Sequence, residues 1–419
     1  MAIIEILTYF TIFIGLYFII FLFTVYLENQ KKIYKGAKKK NFPLVCLIVP
    51  CWNEAKNIKK TIRSLLNLNY PKNKLEIIVV DDGSVDKTFQ KVKDFQKSAA
   101  SDSNIKIFRQ KHEGKYAALN LGLENTKAKF VGSVDADSYL DTNALEKVMK
   151  HFENPKISAV ASTVKLSEAK SILAGILYVE YLMAAFWRKI FSFLNGLYIT
   201  PGAFSVYRRK IFKILGLYRD PYHLLAEDLE IAFRLQKKNF KIAYAIDAFV
   251  YTKSPITIKS LFKQRLRWYK GFLLTLKDYL VLLNFKKHGN LSFLLYFALV
   301  SLFIPIILVS YNLWKIIELT FTRINQLVLT GFDFSHFFSI DWRLLSFNFT
   351  PIFILGNFCL IVFLIYLYIS KKLTFDKKPL KKNALYFILF YVYLSALWWL
   401  AAIFSVLKRQ TLCLIKKKN

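Results

Sequence analysis

Asp135-Ala136-Asp137 closes the apolar run Lys129 to Val134. In an extended strand two carboxylates at this spacing point to one side, where a hard cation, Mg2+ or Mn2+, binds while keeping coordination positions for diphosphate oxygens. Two earlier apolar runs also end in polar groups, Pro50-Cys51-Trp52-Asn53-Glu54 and Asp81-Asp82-Gly83-Ser84. Such groups at neighbouring strand ends can hydrogen-bond a base and a ribose, and the glycine lets the backbone turn closely around them. An ordinary Asp-Gly turn and a helix N-cap at Asn53 account for the same residues without a ligand.

Between these sites lies His112-Glu113-Gly114-Lys115, a glycine followed by a helical pattern. A helix start offers free N–H groups to an anion and Lys115 adds a point charge, although a solvated lysine on a helix cap reads the same way. Further on, Ala226-Glu227-Asp228 opens a helix that contains Ile231, Phe233 and Leu235. A carboxylate there either caps the helix or, buried and facing the metal site, removes a proton from an acceptor hydroxyl. Gln264-Arg265-Leu266-Arg267-Trp268 joins a phosphate-binding arginine to a flat ring on which a pyranose packs. An aromatic-basic membrane belt would explain the Arg and Trp, but not the Gln.

The elements that position these residues read as an α/β domain over residues 41–252. Leu44 to Val49, Leu75 to Val80, Ile105 to Phe108, Lys129 to Val134 and Ile157 to Val164 are short runs rich in β-branched residues, as strands are. Ile58, Ile62, Leu65 and Leu66 follow at helical spacing. Strand-helix-strand units of this length make a mainly parallel sheet with right-handed crossovers, which binds ligands beyond its carboxyl ends.

Composition adds a membrane. Hydrophobic residues make up 55% of the chain and aromatics 17%, with a formal charge of +33. Nucleic acid is the other standard partner for such charge, but the lysines cluster beside apolar stretches. The four cysteines (Cys46, Cys51, Cys359, Cys413) form no CxxC pair, so neither structural zinc nor a disulfide framework is indicated. Ile3 to Tyr26 is long enough to span and is followed by Lys31, Lys32, Lys35 and Lys38 to Lys40; a signal peptide would have a basic start and a cleavage site instead. The lysines put the amino terminus outside and the domain of residues 41–252 in the cytoplasm, at the plasma membrane.

Leu291 to Trp314, Pro351 to Ser370 and Ala384 to Leu407 are further apolar stretches. The loop with Lys371, Lys372, Lys377, Lys378, Lys381 and Lys382 should be cytoplasmic, as the first helix requires. Four spans leave the tail with Lys408, Arg409 and Lys416 to Lys418 outside, against the charge rule, unless one stretch is re-entrant or lies in the interface. Residues 172–194 and 253–290 mix apolar, aromatic and basic residues as interfacial helices do, and residues 291–419 hold the carboxyl-terminal helices and basic tail.

Asp81-Asp82, Asp135-x-Asp137, Ala226-Glu227-Asp228 and Gln264-x-x-Arg267-Trp268, in this order, resemble the signature of membrane-bound family 2 glycosyltransferases. That group includes the cellulose, chitin, hyaluronan and poly-N-acetylglucosamine synthases. The resemblance implies a GT-A fold and an inverting, metal-assisted displacement at the anomeric carbon. It implies nucleotide-sugar binding by Pro50, Trp52, Glu54, Asp81, Asp82, Lys115, Asp135 and Arg267, and a metal at Asp135 and Asp137. Asp228 would be the general base, with Gly202, Glu227, Gln264 and Trp268 on the acceptor side; Thr200 to Phe204 with Arg208-Arg209 resembles the family's acceptor segment. Cys51 and Trp52 depart from the family, which has Thr or Ser and then Tyr there.

The donor implied is a UDP-sugar, N-acetylglucosamine or glucose, and the product a β-linked polysaccharide threaded through the membrane. Interfacial helices, accessory secretion subunits or a second copy would complete a pore. One alternative is single-sugar transfer to a ceramide- or polyprenyl-type lipid. Another, from a different class, is a basic membrane scaffold or transporter that has lost catalysis, although every expected carboxylate is present.

Overall fold

In the computed structural model, residues 2–34, 42–98, 104–219, 226–332 and 351–416 are described. An apolar helix, α1 (Ala2–Asn29), leads to an α/β layer. This runs β1 (Val45–Cys51), α2 (Ile58–Leu66), β2 (Leu75–Asp82), α3 (Thr88–Ser98), β3 (Ile105–Gln110), α4 (Lys115–Glu124) and β4 (Phe130–Val134). Then come β5 (Tyr139–Leu140), α5 (Ala144–His151), β6 (Ile157–Leu166), α6 (Ile172–Phe193), β7 (Phe204–Arg208), α7 (Lys210–Leu215), α8 (Glu227–Lys237) and β8 (Lys241–Thr252). The chain closes with α9 (Ile258–Asp278), the short α10 (Phe285–His288), α11 (Asn290–Leu329), α12 (Pro351–Leu373) and α13 (Lys381–Lys416).

One eight-stranded sheet has the order β3-β2-β1-β4-β7-β6-β8-β5. Its first half is parallel, as the alternating strands and helices require. The strand β7 enters antiparallel between β4 and β6, β6 and β8 pair parallel, and β5 pairs antiparallel with β8. Every residue of β1 and β2 is buried, because helices cover both faces. Alternate residues serve opposite faces: Val45, Leu47 and Val49 pack with α2 and α5, and Cys46 and Ile48 with α4 and α6. Pro50 is tolerated in β1 because pairing with β4 has already stopped at Ile48 and Ser133, so its missing N–H lies at a locally free edge.

Four helical segments among the described residues are long and apolar enough to cross a membrane: Tyr9–Lys32, Asn290–Leu329, Ile354–Leu373 and Lys381–Lys408. Expected basic residues Lys35, Lys38, Lys39, Lys40, Lys417 and Lys418 lie outside the described residues. The helix α6 links the two halves, with β6 and β8 on one side and α1, α12 and α13 on the other. The loop between α12 and α13 is tied to the α/β layer. Asp376 takes a hydrogen bond from the Tyr178 hydroxyl at 3.0 Å and pairs with the buried Lys165 at 3.5 Å, while Lys165 donates to the Thr374 carbonyl at 2.6 Å. The Tyr34 hydroxyl also reaches the Leu373 carbonyl, so the segment after α1 meets the end of α12 on the side of that layer.

Candidate active site

The loops after β1 and β2 are joined to each other. Asn53 adopts a left-handed backbone (φ 55°), its N–H donating to Ser84 Oγ at 2.9 Å while its side chain accepts from the Val85 N–H at 3.0 Å. Glu54 donates its N–H to Thr88 Oγ1, and its carboxylate takes a hydrogen bond from Asn57; burial pushes that carboxyl up. Trp52 lies flat on His112, ring centroids 4.5 Å apart. Gly83 also turns left-handed, at φ 71°, and a Cβ there would come within 2.8 Å of the His112 nitrogen, so the glycine permits this close approach.

The two adjacent aspartates divide their work. Asp82 is saturated by the protein: Gln110, His112 Nδ1 and the N–H groups of Glu113 and Gly114 all reach it within 3.0 Å. It holds the loop that leads into α4. Asp81 pairs with Arg109 at 3.1 Å through Oδ2, but its buried Oδ1 has no hydrogen-bond partner. A buried carboxylate oxygen without a donor is an exception that a ligand N–H or O–H would resolve.

Asp135 to Ser138 forms a turn closed by the Ser138 N–H on the Asp135 carbonyl, 3.0 Å. This corrects the extended geometry expected for Asp135-x-Asp137: β4 ends at Val134, and Thr61 clamps the Ala136 carbonyl at 2.7 Å. Lys115, the first residue of α4, bridges two carboxylates, Asp135 Oδ1 at 2.7 Å and Glu227 Oε1 at 2.6 Å. Burial would lower Lys115, but Asp135, Glu227 and Asp228 outweigh it and hold the ammonium well above the usual lysine range.

The other carboxylates respond to the same crowding. Burial, then Asp135, pushes Asp137 up. Burial also opposes ionisation of Glu227, yet Lys115, and to a lesser extent Arg267, keeps it below its ordinary value. Burial and the neighbouring Glu227 push Asp228 up to about 6, against the pull of Lys115. Gly202 donates its N–H to Asp228 Oδ2 at 3.0 Å. A Cβ on Gly202 would sit 2.7 Å from Lys115 Nζ and 3.6 Å from both Asp135 Oδ1 and Asp228 Oδ2, so the glycine permits the ammonium and both carboxylates to close in on the backbone here.

The helix α9 packs beside α8 and forms a rim here: Arg267 is exposed and acts on Glu227, whereas Gln264 Oε1 is buried without a partner. Thus the structure brings Lys115, Asp135, Gly202, Glu227 and Asp228 together around one space, with Asp137 beside them. Pro50 is a strand residue within β1. Arg109 and His112 hold Asp81 and Asp82 through contacts that motif reading did not assign, and Arg265, paired with Glu180, was visible only as a variable position inside Gln264-x-x-Arg267-Trp268.

Among the described residues no group of three or more His, Cys, Asp or Glu side chains is arranged to hold a metal. Asp135 and Asp137 nevertheless fit a hard divalent cation that takes its remaining ligands from substrate oxygens, and the Lys115 ammonium against Asp135 marks the spot as one that accepts positive charge.

Comparison with known proteins agrees with this arrangement. Residues 46–216 match the model of Glycosyl transferase family 2. A poly-beta-1,6-N-acetyl-D-glucosamine synthase of Staphylococcus epidermidis is 27% identical over 65% of this chain and 66% of its own. A second from that species is 26% identical over 83% and 84%, and one from Staphylococcus aureus 27% over 63% and 64%. The match thus spans just under two thirds of the length of two of these relatives. In fold the chain is similar to the mannosyltransferase PcManGT of Pyrobaculum calidifontis, solved with GDP-Man and Mn2+: TM-score 0.59, 18% identity, 90% of this chain and 99% of that one. Motif order, sheet topology and relatives converge on one finding: residues 46–216 form a glycosyltransferase family 2 domain.

Proposed function

We propose that this protein transfers N-acetylglucosamine from a UDP-linked donor to a growing β-linked polysaccharide at a membrane, with inversion at the anomeric carbon. The observation that carries the reading is the convergence of Lys115, Asp135 and Asp228 on Gly202. A donor diphosphate with its cation and an attacking hydroxyl with its base need such groups side by side. The polymer and the sugar are suggested by the staphylococcal synthases, 27% identical to this chain.

In this reading the unpartnered Asp81 Oδ1 takes a hydrogen bond from the nucleoside, and Trp52 on His112 forms the platform beside it. Asp135 and Asp137 hold Mg2+ or Mn2+, which when bound offsets the charge that grows on the departing diphosphate. Lys115 and Arg267 supply cationic contacts to the same oxygens, and Lys115 gives up part of its pairing with Asp135 as they arrive. Asp228, raised to about 6, is ionised at neutral pH yet basic enough to take the acceptor hydroxyl proton as that oxygen attacks. The Gly202 N–H fixes the orientation of this carboxylate. Gln264 and Trp268 hold the acceptor sugar.

The catalytic layer is proposed to face the cytoplasm, where nucleotide sugars are made, and the contacts of the α12–α13 loop with α6 and β6 support a common side for that loop and the domain. The test is a screen of radiolabelled nucleotide sugars with Mg2+ or Mn2+ on the purified protein in lipid, reading released nucleoside diphosphate and product length together. Polymer from UDP-N-acetylglucosamine is expected. A single organic-soluble product would instead make the protein a lipid glycosyltransferase, and no turnover with any donor would refute the proposal.

A further inference from the structure

Arg265 belongs to no motif position, yet it is among the most buried large side chains, 2% exposed. In a helix turning about 100° per residue, Gln264, Arg267 and Trp268 fall within an arc of about 100°, and Arg265 falls about 60° beyond Trp268. Its guanidinium therefore reaches down beneath the rim rather than into the site. There it pairs with Glu180 of α6, Nη2 to Oε2 2.7 Å. It covers the Trp268 ring at 4.3 Å from the ring centre and reaches to 5.6 Å from the Trp398 ring of α13. Three elements thus converge on one cation: α6 under the catalytic sheet, α9 at the rim, and α13 among the apolar helices.

A desolvated ion pair is a poor way to fill space, since an apolar side chain of similar volume packs there without a desolvation penalty. What the pair provides is geometry. Glu180 anchors a planar group whose flat face then sets the plane of the indole it covers. Trp268 is half-buried and is the flat surface assigned to the acceptor sugar. We propose that Arg265, anchored by Glu180, is a positioning residue for the transfer reaction: it fixes the Trp268 ring, and through it the resting place of the acceptor. The proposal rests on the transfer reading given above. It also makes α13 part of the acceptor site's support through Trp398.

The test uses the full-length protein in lipid, UDP-N-acetylglucosamine with Mg2+, and a β-1,6-linked N-acetylglucosamine oligosaccharide as acceptor. Arg265→Gln should raise the acceptor KM by about tenfold or more, the size of a lost desolvated cation–ring contact, with the donor KM within about twofold. Arg265→Lys, which keeps a cation on the ring, should recover much of the loss. Because Arg265 acts through Trp268, Arg265→Gln/Trp268→Phe should be no worse than Trp268→Phe alone. If Arg265→Gln does not fold, Glu180→Gln carries the test: it keeps the cation but loosens its anchor, and should shift the acceptor KM in the same direction. The proposal is overturned if folded Arg265→Gln or folded Glu180→Gln leaves the acceptor KM unmoved, if donor and acceptor KM rise together, or if the double variant is additive. A wild-type protein that transfers no sugar would instead refute the function proposed above.

Discussion

Replacing Gly202 by alanine puts a methyl group 2.7 Å from Lys115 Nζ, well inside contact distance. Gly202 does not have a positive φ, so the backbone accepts alanine and the strain falls on the lysine. Moving the ammonium away by about 0.7 Å weakens its pairs with Asp135 and Glu227 by roughly 1 kcal/mol each at an effective dielectric of about 20. Solvent reaches a third of the Lys115 side chain, so the net destabilisation is about 1–2 kcal/mol, a fall in Tm of a few degrees. The effect on transfer is larger. The same methyl lies 3.6 Å from both Asp135 Oδ1 and Asp228 Oδ2, inside the space assigned to the reacting groups. A misplacement of about 1 Å there lowers kcat/KM by on the order of a hundredfold. Steady-state transfer and thermal unfolding, measured on one preparation, separate the two. A variant that folds and keeps kcat/KM within about threefold of wild type would refute the assignment of this space.

Asp228→Asn should reduce kcat by roughly 10²- to 10⁴-fold, the range for a lost general base, read as initial rates of diphosphate release. In the wild type, kcat/KM should fall as pH drops through about 6, because the raised Asp228 is protonated below that value and cannot accept a proton, and should level off above it. Asp81→Asn, by altering a carboxylate whose buried Oδ1 lacks a protein partner, should raise the donor KM by about tenfold with little change in kcat, checked by donor titration at saturating acceptor. Chelation of divalent ions should abolish turnover, and Mn2+ or Mg2+ should restore it in the wild type but not in Asp135→Asn/Asp137→Asn.

In the parallel half of the sheet β1, β2 and β4 were legible because they are buried throughout and read as short, largely apolar runs; β3 and β6 also lie where the sequence places strands, within a few residues. The antiparallel insert was not legible. Phe204 to Arg208 reads as loop or acceptor segment, and becomes β7 only because β4 and β6 flank it. The register that brings Lys241–Thr252 beside β6 is likewise long-range. Site residues divided along the same line. Spacing picked out Lys115, Asp135, Glu227 and Asp228, and the family resemblance added Gly202; the structure brings them together. Spacing treated Asp81 and Asp82 as equivalent, although the return of β3 and its following loop saturates one and leaves an oxygen of the other free. Spacing within a motif also says nothing about Arg265, whose partners Glu180 and Trp398 lie on other helices.

The central claim is that one metal-dependent centre transfers a sugar using Asp228 as base. It is tested most directly by incubating purified wild type and Asp228→Asn with UDP-N-acetylglucosamine and Mn2+, and following UDP release together with new glycosidic product. The account predicts matched UDP and product from the wild type and neither from the variant, which should still bind the donor. Equal turnover by the two proteins would contradict it.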